Sequence, residues 1–511
     1  MPQIAVAASN RLAAEAAVRL GESGGNAVDA ALAVVLVAMV CEPGICAPLG
    51  GAFVTVQPAD GAPPVTVDGN VEMPGRGAPA ERLGRGLRAV TSSYGGGVTM
   101  TVGHGSVATP GALSAVELAH RRYGAAPWRD VVAPVVDAAA AGFPLGQASV
   151  YYLSLVHEDV FGWHPDSRAA LHHADGTLLT LGETVRIPHL ADSLRLIAED
   201  GAAALHGGPL GRAITDDIAA NDGLLGAADL AAYRPVVRPA LRAEVGRWQL
   251  ATNPPPAIGG PVLAAMLALM GDRPTGGWSP EDVAHLVAVQ EAVLGFRLRH
   301  LDVADDREAE GRRLLDLVGA GGIAAVRESS STVHVSCVDS AGGACAVTAS
   351  AGYGSGVMTP GTGLWLNNCL GEPELNRRGV HALPPGERLP SNMAPTVGRR
   401  SDGAVLAIGS PGADRITTAL LQALAGFANG GLSLEQAIAQ PRLHVALRDG
   451  TAVVDHEADV RLPDTGLATR EYEPLSMYFG GVGAALRAAD GSVTAAADPR
   501  RAAVVAVGGE T

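Results

Sequence analysis

At 511 residues the chain is longer than an ordinary single domain, yet no low-complexity linker, internal repeat or charge run divides it, so one large compact unit is expected. Its 37 basic residues are all arginine and face 52 Asp and Glu, a formal net charge of −15. That balance offers no basic patch to neutralise phosphates, which argues against nucleic acid and points to small-molecule partners. The longest apolar run, 30–40, is shorter than the roughly 18 residues of a membrane span and is bordered by Asp29, so a buried helix is expected and no membrane partner.

In chain order, the opening MPQIAVAASNRLAAEAAVRL lacks the basic segment, apolar core and small-residue cleavage site of an export signal, so a cytoplasmic protein is expected. Residues 8–21 and 27–41 read as helices separated by a turn at Gly24-Gly25-Asn26. With no strand before it and no Gly-Lys-Ser/Thr after it, that turn is not a phosphate loop. Residues 52–57 and 64–68 read as strands. Thr109-Pro110-Gly111 opens a helix that Tyr123-Gly124 closes, and further helices are expected over 127–141, 189–200, 210–220 and 260–270. The five cysteines, Cys41, Cys46, Cys337, Cys345 and Cys369, have no CxxC spacing and read as free thiols. His172-His173 and His456-Glu457 lack ligand spacing and read as exposed polar turns, so neither metal nor cofactor is expected.

The most informative stretch is Ser329-Ser330-Ser331-Thr332-Val333-His334-Val335-Ser336-Cys337-Val338. A polar approach enters an alternating strand, a turn follows at 340–343, and 344–350 returns as its partner. Alternation puts Thr332, His334 and Ser336 on one face and Val333, Val335 and Cys337 on the other. Were the chain cut after Ser331, Thr332 would carry a hydroxyl and a free amine together, a nucleophile with its own base. The local pattern alone also fits an ordinary hairpin. Downstream, Gly409-Ser410-Pro411-Gly412-Ala413-Asp414-Arg415-Ile416 runs into an apolar-periodic helix over 416–427. The Gly412 and Ala413 amides at such a helix start suit an oxyanion hole, although a plain strand-to-helix connection has the same pattern.

Motifs spread over nearly the whole chain resemble, in order, the γ-glutamyltransferases, which are self-cleaving N-terminal-nucleophile hydrolases. They are Gly24-Gly25-Asn26-Ala27-Val28-Asp29-Ala30-Ala31, Leu49-Gly50-Gly51-Ala52-Phe53, Thr109-Pro110-Gly111, Ala228-Asp229-Leu230-Ala231-Ala232-Tyr233 and Asn253-Pro254-Pro255-Pro256 with Gly259-Gly260. The Thr332 strand, Leu366-Asn367-Asn368, Met393-Ala394-Pro395-Thr396, the Gly409–Ile416 turn and Asp498-Pro499-Arg500 complete the series. The resemblance implies an α+β fold, the four-layer αββα sandwich, with Thr332 at the end of a central strand. It implies cleavage between Ser331 and Thr332 into 1–331 and 332–511, which stay together as a heterodimer. Thr332 is then the nucleophile and its own base, Ser350 stands where the family places an orienting threonine, and Gly412 and Ala413 hold the oxyanion. His334, on the face of Thr332, is expected to pack or orient rather than to move protons.

The departures concern the acyl pocket. Where the resemblance implies an arginine that grips the glutamyl α-carboxylate, just before Glu72-Met73-Pro74, this chain has Val71. The family's paired serines are Ser391-Asn392, and the carboxylate that binds the substrate amine corresponds to Glu372. The hairpin exit lacks the family's asparagine, and Arg76 is a candidate to replace the missing clamp. Retained acyl chemistry on a non-glutamyl group is therefore expected, such as an oxalyl-type amide or a carbon–carbon bond beside a carbonyl in antibiotic (alkylproline) biosynthesis. Two other readings stay open: a true γ-glutamyltransferase or glutathione hydrolase, and an inactive binding or scaffold homologue.

Overall fold

The structure, a computed structural model, describes residues 3–92, 97–277, 279–320, 332–448 and 451–509. Ser331 and the polar approach before it lie outside the described residues. Helix and sheet are mixed throughout, in an α+β arrangement built on two large antiparallel sheets. The seven-stranded sheet runs in the order Val504–Gly508, Ile4–Ala8, Val333–Asp339, Ala344–Ser350, Gly51–Gln57, Val65–Gly69 and Val236–Pro239. The six-stranded sheet runs Val493–Ala497, Gly483–Arg487, Val405–Gly409, Thr396–Arg400, Trp248–Thr252 and Leu241–Val245.

The hairpin expected around Thr332 is present and occupies the middle of the larger sheet. Val333 pairs with Ala349 and His334 with Thr348, a register that sets Thr332 opposite Ser350. Val333, Val335, Cys337, Cys345, Val347 and Ala349 pack into one core with the helix Ala27–Cys41. The opposite face, through Val338, Ala344 and Ala346, meets Val397, Val405, Ala407 and Ala485 of the other sheet. On that sheet's far side Leu250, Leu406, Ile408 and Ala484 pack against Gly259–Met270, Pro280–Phe296 and Arg415–Ala428.

The helix Ala27–Cys41 is apolar all round because every residue in it is buried. Its start is fixed by a reciprocal cap in which Asn26 Oδ1 accepts from Val28 and Asp29 N–H while Asp29 accepts from Asn26 N–H at 2.9 Å. Asp29 also accepts from Ala125 and Ala126, tying the end of the helix Ala112–Tyr123 to this turn. The helices expected over 127–141, 189–200, 210–220 and 260–270 are found as Trp128–Ala141, Leu190–Asp200, Pro209–Ala220 and Gly259–Met270.

Three expectations need correcting. The first helix begins at Arg11, after its cap Asn10, because Ile4–Ala8 is a strand between Val333–Asp339 and Val504–Gly508. Buried on both faces, it has no alternation to betray it. His172 is not in an exposed turn; it is buried, with His157 Nδ1 2.8 Å from its Nε2. His456 and Glu457 are buried as well, and Glu457 receives Arg500.

Candidate active site

Thr332 is buried at the entrance to the strand Val333–Asp339, between two cavities. The first, about 370 Å³, is lined by Thr332, Ser350, Val71, Glu372, Ser391 and Asn392, together with Asn70, Cys369, Leu375, Pro390 and Met393. Six residues picked from sequence therefore converge on one space, although they come from four separate chain segments.

Those segments are held by the residues that recur as motifs. The Asn367 side chain donates to Leu49 and Ala108 carbonyls at 2.8 and 2.9 Å and accepts from Ala108 and Cys369 N–H, clamping three loops at once. Tyr233 O–H donates to Asn70 O at 2.8 Å, and Arg388 reaches the same carbonyl at 2.9 Å, which fixes the approach to Val71. Asn253 donates to Met393 O, and Ile258 and Gly259 N–H both donate to Ser391 O, which fixes the 391–393 wall. Gly50 is glycine for want of space: a β-carbon there would lie 2.1 Å from Ser350 O. Ser350 Oγ accepts from Gly352 N–H at 3.1 Å, so the hydroxyl opposite Thr332 is already oriented.

The chemistry of this cavity differs from that of a carboxylate clamp. Among the described residues lining it, none is cationic. Arg76 is occupied elsewhere, within 3.3 Å of Glu72 Oε2 and 3.7 Å of Asp229. Burial, then the neighbouring Glu374, pushes the Glu372 acid well above the usual carboxylate range, which favours its uncharged form. Glu372 Oε2 and both polar atoms of the Asn392 amide are buried without hydrogen-bond partners. Such groups suit an uncharged polar ligand that supplies both a donor and an acceptor.

Sequence reasoning missed Glu374. It is raised to about 8, chiefly by burial, and Tyr353 O–H donates to it. Its only sequence signal was its place two residues after Glu372. His334 lies deep between the sheets, with Nδ1 2.8 Å from Thr348 Oγ1 and Nε2 2.7 Å from Ser336 Oγ. Ser336 gives its single proton to Gly483 O, so Nε2 carries the ring hydrogen and Nδ1 accepts from Thr348. Burial lowers this histidine to about 3. Neutral and fully engaged, it holds the hairpin rather than serving Thr332 as a base.

Gly412 and Ala413 precede the helix Arg415–Ala428 with φ of 120° and 71°. Neither amide has a hydrogen-bond acceptor among the described residues. Ser410 Oγ donates to Pro411 O and accepts from Gly481 N–H, packing the turn against the Gly480-Gly481 loop. Gly412 and Ala413 do not line the first cavity, but Pro411 lines the second together with Thr332.

The sequence profile described as gamma-glutamyltranspeptidase matches residues 13–321 and 297–508. The chain is 30% identical to the Acylase ACY 1 proenzyme of Pseudomonas sp. (strain SE83), over 96% of this chain and 91% of that one. It is 28% identical to the Glutathione hydrolase proenzyme of Escherichia coli (strain K12), over 86% and 80%. Among solved structures, cephalosporin acylase from Bacillus halodurans superposes with a TM-score of 0.83 at 22% identity, covering 100% of this chain and 96% of that one.

Proposed function

The chain belongs to the gamma-glutamyltranspeptidase family, and from that premise we propose that it is a self-cleaving acyl hydrolase whose nucleophile is Thr332 and whose acyl group is not glutamyl. An enzyme of this family is a hydrolase or acyltransferase; the proposal concerns which residues act and on what. The helix, sheet, sheet, helix order of packing is read as the αββα sandwich, with 1–331 and 332–511 as its two subunits.

In the uncut chain, Thr332 Oγ attacks the Ser331 carbonyl carbon, the acyl bond moves from nitrogen to oxygen, and water hydrolyses the ester. Ser331 keeps a carboxylate, and Thr332 gains an α-amine with an ordinary pKa of about 7.7–8.0. In turnover that amine takes the hydroxyl proton as Oγ attacks the substrate carbonyl. The tetrahedral anion lies against the Gly412 and Ala413 amides, helped by the positive end of the Arg415–Ala428 helix. Collapse breaks the bond to the leaving group, which receives the proton, and water or an acceptor amine then releases the acyl group.

The observation that carries the non-glutamyl reading is the cavity on the Ser350 side of Thr332, which has no cationic residue among the described residues lining it, with Val71 in its wall and Arg76 engaged elsewhere. A glutamyl α-carboxylate buried there would lack a counter-charge, which is costly in a low-dielectric site. A ketone whose neighbouring carbon leaves as a stabilised carbanion, or an amide of an uncharged acyl group, fits the raised Glu372 acid and the Asn392 amide; an oxalyl group brings a carboxylate of its own and is disfavoured on the same ground. The test is a set of 4-nitroanilides that compares γ-glutamyl with uncharged acyl groups of similar length. Turnover of the best uncharged anilide should exceed that of the γ-glutamyl one at least tenfold; rapid γ-glutamyl release contradicts the proposal.

A further inference from the structure

The second cavity, about 430 Å³, meets Thr332 on the side away from Ser350. Strand order sets Ala344–Ser350 on one flank of the Thr332 strand and Ile4–Ala8 on the other, and Ser9, Glu42, Pro411 and Arg501 line this far space. Most of the remaining wall is alanine, valine or isoleucine, so its few polar groups decide what it binds. Arg501 is only 9% exposed, and its Nε and Nη2 have no hydrogen-bond partner. Those two N–H groups share one edge of the guanidinium and form the fork that takes both oxygens of a carboxylate.

The preceding residue shows what such a fork does when filled. Arg500 places the same two nitrogens on Glu457, at 2.8 and 2.5 Å. Arg501 follows it in the short turn Pro499–Arg501, and its own Nε and Nη2 are left without an acceptor. Space is kept for its side chain, because a β-carbon on Gly481 would lie 2.5 Å from Arg501 Cδ. The facing carboxyl is Glu42, which accepts from Asn10 Nδ2 at 2.9 Å. Burial pushes that acid upward, against the Asn10 hydrogen bond and the Arg501 charge, and it does not bond Arg501 Nε or Nη2.

We infer that this cavity receives the leaving amine of the substrate and that Arg501 binds a carboxylate carried on it. The inference rests on the acyl-transfer reading of Thr332 and extends it to a substrate class: N-acyl derivatives of amines that bear an acid group. The acyl half sits on the Ser350 side. Breaking the amide bond leaves the acyl carbon on Thr332 Oγ and frees the protonated amine, with its carboxylate, toward Arg501.

The test uses 4-aminobenzoate and 4-aminobenzamide, which match in size and differ in charge. In calorimetry on the wild-type protein, the benzoate should bind at least tenfold more tightly than the amide. Arg501→Met should abolish that preference, Arg501→Lys should reduce it, and Ala148→Trp, which fills the cavity, should block both ligands. Equal affinities in the wild type, or a preference surviving both Arg501 changes, overturns the inference. In a kinetic arm, the two amines carry the same uncharged acyl group. A higher kcat/KM for the benzoate conjugate, lost in Arg501→Met, supports the leaving-group assignment. Equal turnover of both conjugates overturns that assignment while sparing the acyl-transfer reading. No turnover of either, with carboxylate binding intact, removes the acyl-transfer reading and the leaving-group assignment with it.

Discussion

Proton transfer at Thr332 divides into a group that titrates near neutrality and a neighbour that does not. Under the proposed mechanism kcat/KM rises with pH as the α-amine deprotonates, around 7.7–8.0 if it is unperturbed. His334, lowered to about 3 by burial, is neutral throughout that range. His334→Leu should therefore leave the midpoint of this rise in place while costing stability, because the Thr348 and Ser336 hydroxyls lose their partner at about 1–3 kcal/mol each. A midpoint displaced by more than one pH unit in this variant makes His334 part of the base. Stability carries its own signature. Between pH 3 and the ordinary histidine value near 6.5 the unfolded chain binds the proton and the folded one does not, so this group's contribution is lost as pH falls through 6.5 toward 3. Thermal unfolding of His334→Leu should lose that part of the acid slope.

At the scale of elements, the nucleophile hairpin is positioned by a close contact between sheets. A β-carbon on Gly409 would lie 2.1 to 2.6 Å from atoms of the His334 ring. Because the ring is pinned at both nitrogens, Gly409→Ala must either expel it or separate the strands Val405–Gly409 and Val333–Asp339. The expected cost is about 2–4 kcal/mol. Removing the ring as well, in Gly409→Ala with His334→Ala, should cost less than the sum of the single changes. Simple additivity in denaturant unfolding would mean that the contact does not position the hairpin. Sequence made the hairpin legible because period-two alternation survives on a strand with one polar and one apolar face. Gly409 was legible only as part of a turn, since the reason it is glycine lies on a strand 75 positions away in the chain. Ile4–Ala8, buried on both faces, carried no alternation. Asn367, Tyr233 and Asn253 were visible as motif letters, but what each clamps depends on loops distant in sequence.

For the whole molecule, the Thr332–Ser350 hairpin lies between Ile4–Ala8 and Gly51–Gln57, both from the part of the chain before Thr332. A cut after Ser331 leaves those ladders intact, so the fragments 1–331 and 332–511 should co-elute in native buffer and part only in denaturant. The convergence of Val71, Glu372, Ser391 and Asn392 on one cavity with Thr332 follows from the same topology and was foreseen through the family's motif order. The Arg501 cavity was not foreseen: Arg501 is adjacent to a recognised motif, but its unfilled fork is visible only once Glu457 is seen to serve Arg500. The central claim, that Thr332 is both the cleavage point and the nucleophile, is tested most directly by intact mass measurement of the wild type beside Thr332→Ala under denaturing conditions. The account predicts two wild-type species divided between Ser331 and Thr332, and a single uncut, inactive chain for the variant. An active wild-type protein that remains one chain, or a variant that is cut at the same bond, would contradict it.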